Sequence, residues 1–213
     1  MKEVRHIFWD WNGTLLDDAW LCRDVMNGML RARGMEPLTP ERYREIFDFP
    51  VSRYYERIGF DLESETFEVL GHEFISGYEA RRHEARLYAD AIEALTATEK
   101  GGRGQSILSA YHHDTLVTLV RDHGLDDFFH DLHGHEDIYA VGKTPQGRRA
   151  LEALGIAPQE TVLIGDTVHD AEVAEELGMH CILVPGGNQP EEKLRAVGVP
   201  VYDSRMAALA AIG

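Results

Sequence analysis

The chain is poor in cysteine, in lysine and in long apolar runs. Its two cysteines, Cys22 and Cys181, are too few for a disulfide framework and suit a reducing compartment. No apolar run approaches the roughly 20 residues that cross a bilayer. Acidic residues interrupt the N-terminal stretch MKEVRHIFWDWNG where a secretory leader would continue apolar. Lysine occurs only at Lys2, Lys100, Lys143 and Lys193, and Lys+Arg 21 against Asp+Glu 37 leaves a formal net charge of −16. So acidic a surface repels phosphate backbones, which sets nucleic acid aside as a partner. What is present is ordinary globular composition, 44% hydrophobic and 27% charged over 213 residues. That length holds one domain, or a core with a smaller insertion. The expectation is a soluble, cytoplasmic chain with no membrane partner.

Four short apolar runs read as buried strands: Val4–Trp9, Ser106–Leu108, Thr161–Ile164 and His180–Val184. Runs without polar alternation suit parallel strands covered on both faces. Helical segments lie between them, each with its own punctuation. Thr144-Pro145 opens one that Gly155 closes, and His169 to Leu177 is ended by Gly178. Gln189-Pro190 opens another, ended by Gly198, and Asp90-Ala91-Ile92-Glu93 has capping-box spacing. Strand–helix alternation from about residue 90 onward predicts a doubly wound α/β sheet. Residues 17 to 88 differ: amphipathic stretches (Leu21, Val25, Met29; Tyr43, Phe47) follow helix starts at Thr39-Pro40 and Ser64, with no convincing strand. The expected organisation is an α/β core, residues 1–16 and 89–213, carrying an all-helical insertion at 17–88.

Asp10 sits at the carboxyl end of the first run, where open α/β sheets bind ligands. Alone, such an aspartate is more often a turn or cap residue. Asp166 and Asp170 follow a second strand, four residues apart and able to share one face of a turn. Three acids at the ends of two strands repel one another unless a hard cation sits between them. Oxygen donors without Cys or His favour Mg²⁺. Ser109 ends the run Ile107-Leu108 with a hydroxyl, and the following backbone N–H, at Ala110, suits a phosphate oxygen. Lys143 stands at a helix start, against the helix dipole, which an anion nearby would explain. A magnesium clamp beside a carboxylate nucleophile is a phosphoryl-transfer design.

Asp10-Trp11-Asn12-Gly13-Thr14, Ser109, Lys143 and Gly165-Asp166 through Asp170, in that order along the chain, resemble the four motifs of the haloacid dehalogenase superfamily. The branch they resemble is the phosphoglycolate-phosphatase-like one. The resemblance implies a Rossmann-like core with a helical cap inserted between the first and second motifs. It implies Asp10 as nucleophile forming an aspartyl phosphate, and Mg²⁺ held by Asp10, the Asn12 carbonyl, Asp166 and Asp170. Ser109, Ala110 and Lys143 would bind the phosphoryl oxygens of a small phosphorylated metabolite. The assembly, monomer or homodimer, stays open.

One departure matters. The superfamily's phosphatases carry aspartate where this chain has Asn12, and that acid protonates the departing oxygen and activates water. Asparagine has the shape but moves no proton, a loss of about 10²–10⁴ in rate. Three readings stay open: a slow or restricted phosphatase acting on good leaving groups such as acyl phosphates; an enzyme whose acid/base is His112, His113 or a cap residue; or a nearly inert phospho-ligand binder. A phosphotransferase of the same fold is a further alternative. Phosphonate hydrolases need a cap lysine, which residues 17–88 lack, and dehalogenases do not need the acids at 166 and 170. The remaining features read as ordinary structure. His130, His133 and His135 fit a solvated loop better than zinc. Arg23, Arg44, Arg53 and Arg57 fit surface charges better than a carboxylate clamp, and Gly186-Gly187-Asn188 fits a turn.

Overall fold

The computed structural model describes residues 3–136 and 142–213. Its centre is a parallel sheet of β1 (His6–Trp9), β4 (Gly104–His112), β5 (Leu132–His135), β6 (Thr161–Gly165) and β7 (His180–Leu183), in the order β5-β4-β1-β6-β7. Successive side chains alternate between its faces. Ile7, Trp9, Ile107, Val162 and Ile164 pack with helices α5 (Ala91–Lys100), α6 (His113–Asp122) and α10 (Arg205–Ile212). Phe8, Leu108 and Leu163 pack on the other face with α7 (Thr144–Leu154) and α8 (Val168–Leu177). Because both faces are covered, the strands carry apolar residues at consecutive positions. Central β1 pairs with β4 and β6 in register, so Trp9 lies beside Ile107 and Ile164. That register brings the ends of three strands to one rim.

Four α-helices intervene between β1 and α5: α1 (Ala19–Ala32), α2 (Pro40–Ile46), α3 (Val51–Ile58) and α4 (Phe67–Arg81). They bury a second core of their own, including Met26, Leu30, Tyr54, Tyr55 and Leu70. The insertion is not wholly helical at its ends. β2 (Leu16–Asp17) pairs antiparallel with β3 (Arg86–Leu87), bringing the outgoing and returning chains side by side. Among the described residues no helix is long and apolar enough to cross a membrane.

Several local expectations are corrected. His133 and His135 lie not in a solvated loop but on β5, an edge strand paired with β4. The His133 ring centroid is 6.4 Å from that of Phe8, and buried His135 meets Gln146 at 3.3 Å. Imidazole packs its ring carbons against the sheet while a nitrogen finds a partner, so a short histidine-rich strand lacks an apolar run. Ser109 does not end its strand, since β4 continues to His112 through a register irregularity after Leu108. Thr144 is already helical, with Lys143 at the N-cap of α7. Thr39 does cap α2, accepting from the Arg42 N–H, but Thr66 rather than Ser64 caps α4. Beyond Gln189-Pro190 the helix α9 runs only Glu191–Arg195.

Asp90 does not cap α5 with its side chain either. Its carboxylate accepts from the Arg205 backbone N–H at 2.9 Å and the Arg205 Nη1 at 3.2 Å. The buried Arg205 guanidinium also donates from Nε to the Thr14 carbonyl at 2.6 Å and lies over the Tyr88 ring. One arginine therefore ties the last helix to the loop that follows β1. Arg205→Met keeps the stem and the backbone N–H to Asp90 but removes the side-chain donors to Asp90 and the Thr14 carbonyl, and an unfolding free energy lower by about 3 kcal/mol is expected in urea titration.

Candidate active site

Asp10 follows β1 directly, with its backbone N–H on the Ile164 carbonyl at 2.9 Å. Asp166 follows β6, and Asp170 lies in the first turn of α8. Each offers an oxygen within 4.8 Å of the others, and all three residues are buried. Lys143 reaches between two of them, with Nζ 2.9 Å from Asp10 Oδ1 and 2.5 Å from Asp170 Oδ1. Its third contact is the Leu108 carbonyl at 3.1 Å. Asp170 is further fixed by a capping box: Oδ2 accepts from the Thr167 N–H and hydroxyl at 2.9 and 2.6 Å. Asp166 accepts from Thr14 Oγ1 at 3.2 Å, the Asn188 N–H at 2.6 Å and Asn188 Nδ2 at 3.2 Å.

The charges do not balance within the cluster. Burial pushes the Asp10 carboxyl up to about 7, with Lys143 opposing and Asp170 adding to the rise. Burial, then Asp10 and Asp170, push Asp166 well up as well. Burial also acts upward on Asp170, but Lys143 outweighs it and holds that carboxyl low. Burial works against the Lys143 charge, yet Asp10 and Asp170 hold its pKa above the ordinary value. Among the described residues one cation thus serves three acids, and Asp166 is buried with hydrogen-bond donors but no cationic partner. An all-oxygen donor set with surplus negative charge fits a hard divalent cation such as Mg²⁺. The surroundings admit little else. A Cβ on Gly13 or Gly187 would lie 2.3 or 2.1 Å from Asp166 Oδ2. Gly13 also has φ +76°, a conformation that favours glycine.

Asn12 directs its amide away from proton chemistry. Nδ2 donates to Asp18 Oδ2 at 2.7 Å and to the Tyr78 hydroxyl at 3.1 Å. Tyr78 donates in turn to Asp18 Oδ2 at 2.7 Å, while the Gly13 N–H serves Asp18 Oδ1 at 2.9 Å. Asp18 is fully buried, and burial pushes its carboxyl up against these donors. Neither Asp18 nor Tyr78 is flagged by the motifs; the adjacent acids Asp17-Asp18, one of them buried, were the available signal.

Ser109 is buried, and its Oγ accepts from the Tyr111 N–H at 3.1 Å. Asp10, Asn12, Ser109, Ala110, Lys143 and Asp166 all line one cavity of about 290 Å³. Its opposite wall comes from the helical insertion: Tyr43, Phe47, Phe49, Tyr54, Tyr55 and Phe74 contribute, as does the half-buried Cys22. His112 and His169 line it too; His113 faces a separate surface pocket. Arg23, Arg44, Arg53 and Arg57 do not line the cavity. Arg44 instead donates to the Gly187 carbonyl at 3.1 Å, and Arg57 to Asp48 at 2.9 Å. The Gly186-Gly187-Asn188 turn proves to be part of the site. Asn188 grips Asp166, and its Oδ1 accepts from the Tyr43 hydroxyl at 2.9 Å, so it links the insertion to the carboxylates.

A parallel α/β core with a helical insertion after its first strand, and buried acids at the rim, defines a capped hydrolase fold. The family of haloacid dehalogenase-like hydrolases matches residues 7–184, and the chain belongs to it. The chain is 25% identical over 189 residues to a phosphoglycolate phosphatase of Rhodobacter capsulatus, covering 85% of this chain and 84% of that one. It is 27% identical over 209 residues to a 5′-nucleotidase of Pseudomonas aeruginosa, covering 96% and 93%. A haloacid dehalogenase-like hydrolase structure from Streptococcus pneumoniae superposes with TM-score 0.79 at 20% identity over 100% of both chains, a likeness of fold.

Two measurements check the electrostatics. Asp10, raised to about 7 from 3.8, binds more protons folded than unfolded between those values. Its contribution to stability is therefore full below the lower value and lost as pH rises through the upper one. Metal-free protein should lose thermal stability from about pH 4 to about pH 7, and Asp10→Asn should flatten that loss. Millimolar Mg²⁺ should raise the melting temperature at the upper pH by about 5 °C and at the lower one far less. Separately, Asn12→Asp sets two carboxylates against each other and should cost about 2 kcal/mol in urea titration, which adding Asp18→Asn relieves.

Proposed function

We propose that the chain is a Mg²⁺-dependent phosphoric monoester hydrolase, acting in the cytoplasm on a small phosphorylated metabolite through an aspartyl phosphate on Asp10. The observation that carries this reading is the 2.9 Å contact of Asp10 with Lys143 inside a cluster of three buried carboxylates. The phosphatase names of the relatives support it and put phosphoglycolate and nucleoside 5′-monophosphates on the substrate panel.

Asp10, the Asn12 carbonyl, Asp166 and Asp170 would hold the Mg²⁺. When bound, the ion neutralises charge on the carboxylates and the phosphoryl oxygens. Lys143 favours the ionised form of Asp10 and offers Nζ to a phosphoryl oxygen. The Ser109 hydroxyl, accepting from Tyr111, keeps its own proton to donate, and the Ala110 N–H adds a second donor. An Asp10 oxygen then bonds to phosphorus as the ester P–O bond breaks, and the departing oxygen takes a proton. Water cleaves the aspartyl phosphate, which releases inorganic phosphate and restores the carboxylate. Residues 17–88 act as a cap that excludes other water. Asn12 supplies no proton in either step. We assign that part to His112, which lines the cavity with Nδ1 3.3 Å from the Thr115 hydroxyl.

The commitment of Asn12 to Asp18 and Tyr78 favours a second reading, a phospho-ligand binder with little turnover. The two separate on acetyl phosphate, whose leaving group needs no acid. With Mg²⁺, wild type should release phosphate, and Asp10→Asn should reduce kcat at least about 10³-fold. His112→Gln should slow alkyl phosphates about 10²-fold while sparing acetyl phosphate. Phosphate release that scales with an added alcohol acceptor would mark a phosphotransferase. No turnover of acetyl phosphate or of any ester on the panel would leave the binder.

A further inference from the structure

The cavity wall opposite the carboxylates has a composition that a charged metabolite does not explain. Phe47 lies in T-shaped contact with Phe49 at 5.7 Å and with Tyr54 at 5.3 Å, and Tyr43 joins them 5.6 Å from Phe47. Phe49 crosses to the core and stacks on His169 at 4.4 Å, interplanar angle 23°. The cap aromatics therefore form one continuous surface reaching the rim that bears Asp170. Lys143 is the one lysine or arginine among the described residues of the wall. It is already shared between Asp10 and Asp170. The remaining formal charge away from the carboxylate cluster is Glu79, which accepts from the Tyr111 hydroxyl and from Arg82 at 2.6 Å. The nearby cap cations face elsewhere: Arg44 serves the carbonyls of Gly186 and Gly187, and Arg57 serves Asp48.

We propose that this site takes phosphomonoesters whose alcohol carries an uncharged ring, aromatic or nucleoside-like, and discriminates against those whose alcohol carries a carboxylate. The proposal rests on the hydrolase reading of the same site and narrows its substrate class. A ring gains by burial against Phe47, Phe49 and Tyr54, in the edge-to-face geometry those side chains already adopt with each other. A carboxylate placed there loses its water, finds no free lysine or arginine and meets Glu79. The cavity, about 290 Å³, holds one such ring beside a phosphoryl group. Phosphoglycolate, two charged ends on one methylene, uses none of that wall.

Non-hydrolysable phosphonates test this without the influence of leaving-group acidity. Calorimetric titration of the Mg²⁺-loaded protein with 3-phenylpropylphosphonate and with phosphonoacetate should show the phenyl compound binding about a hundredfold tighter. Phe47→Ala, and separately Phe49→Ala, should each shrink that ratio about tenfold, with circular dichroism confirming the fold. The same order should hold in kcat/KM for 2-phenylethyl phosphate against ethyl phosphate, whose alcohols have similar acidity. Acetyl phosphate hydrolysis with equal binding of the two phosphonates, or with phosphonoacetate the tighter, overturns the ring proposal and leaves the hydrolase reading intact. Binding of neither phosphonate, with no acetyl phosphate hydrolysis, overturns both. A ring preference in binding without any turnover keeps the specificity and assigns it to a binder.

Discussion

Three carboxylates share a buried rim with a single lysine, and much of the surrounding structure serves to hold that imbalance in place. Asp10, Asp166 and Asp170 cannot all be ionised there with Lys143 alone, since taking an unpaired charge from water costs several kcal/mol. The fold spreads the problem over fixed donors: Thr14, Thr167 and Asn188 all direct N–H or O–H groups at carboxylate oxygens. Glycines at 13, 165 and 187 let the backbone approach where any Cβ would collide with a carboxylate. None of these devices supplies positive charge. A site held this rigidly and left electrically incomplete suits the cation and the phosphoryl group of the proposed reaction.

The same contacts that steady the carboxylates also seat the helical insertion. Asn188 grips Asp166 with its N–H and receives the Tyr43 hydroxyl on its side chain. Gln189 accepts from the Val168 N–H and donates to the Phe47 carbonyl, and Lys193 donates to that same carbonyl. A turn after β7 is thus the joint between core and insertion. Because the aromatic wall belongs to the insertion and the carboxylates to the core, these bonds set the spacing across the cavity. The ribbon of β2 and β3, two residues in each strand, is the covalent path between them.

The sheet was legible because both its faces are covered: His6–Trp9, Thr161–Gly165 and His180–Leu183 announce themselves by apolar continuity, and the acids at their ends by position. Other features depend on partners far away in sequence. Asp90 has the spacing of a capping box, yet Arg205 claims its carboxylate, and nothing local signals a residue 115 positions later. β5 escapes notice because histidine packs its ring while reading as polar. Asn188 looks like a turn residue, and its role follows from the crossing of two loops. The motif positions Asp10, Asn12, Ser109, Lys143, Asp166 and Asp170 were visible, but the chemistry of the opposite wall was not. Phe47, Phe49 and Tyr54 are ordinary core aromatics until the insertion folds over the rim.

Asn12 and Asp18 are best understood as one unit. A carboxylate is present in this corner of the site, but it belongs to Asp18, behind the amide that faces the cavity, and it is satisfied by Gly13, Asn12 and Tyr78. With Asn12 as donor the corner is electrically consistent, one acid surrounded by neutral donors. An acid at both positions would add a fifth carboxylate to Asp10, Asp18, Asp166 and Asp170, in a region that already lacks positive charge. The asparagine therefore fits the interior it occupies, and the proton chemistry it forgoes has to come from elsewhere or be unnecessary. The aromatic wall does not remove that need, because an arylalkyl or nucleoside alcohol departs poorly without a proton, whereas a phenolic or acyl group leaves without one.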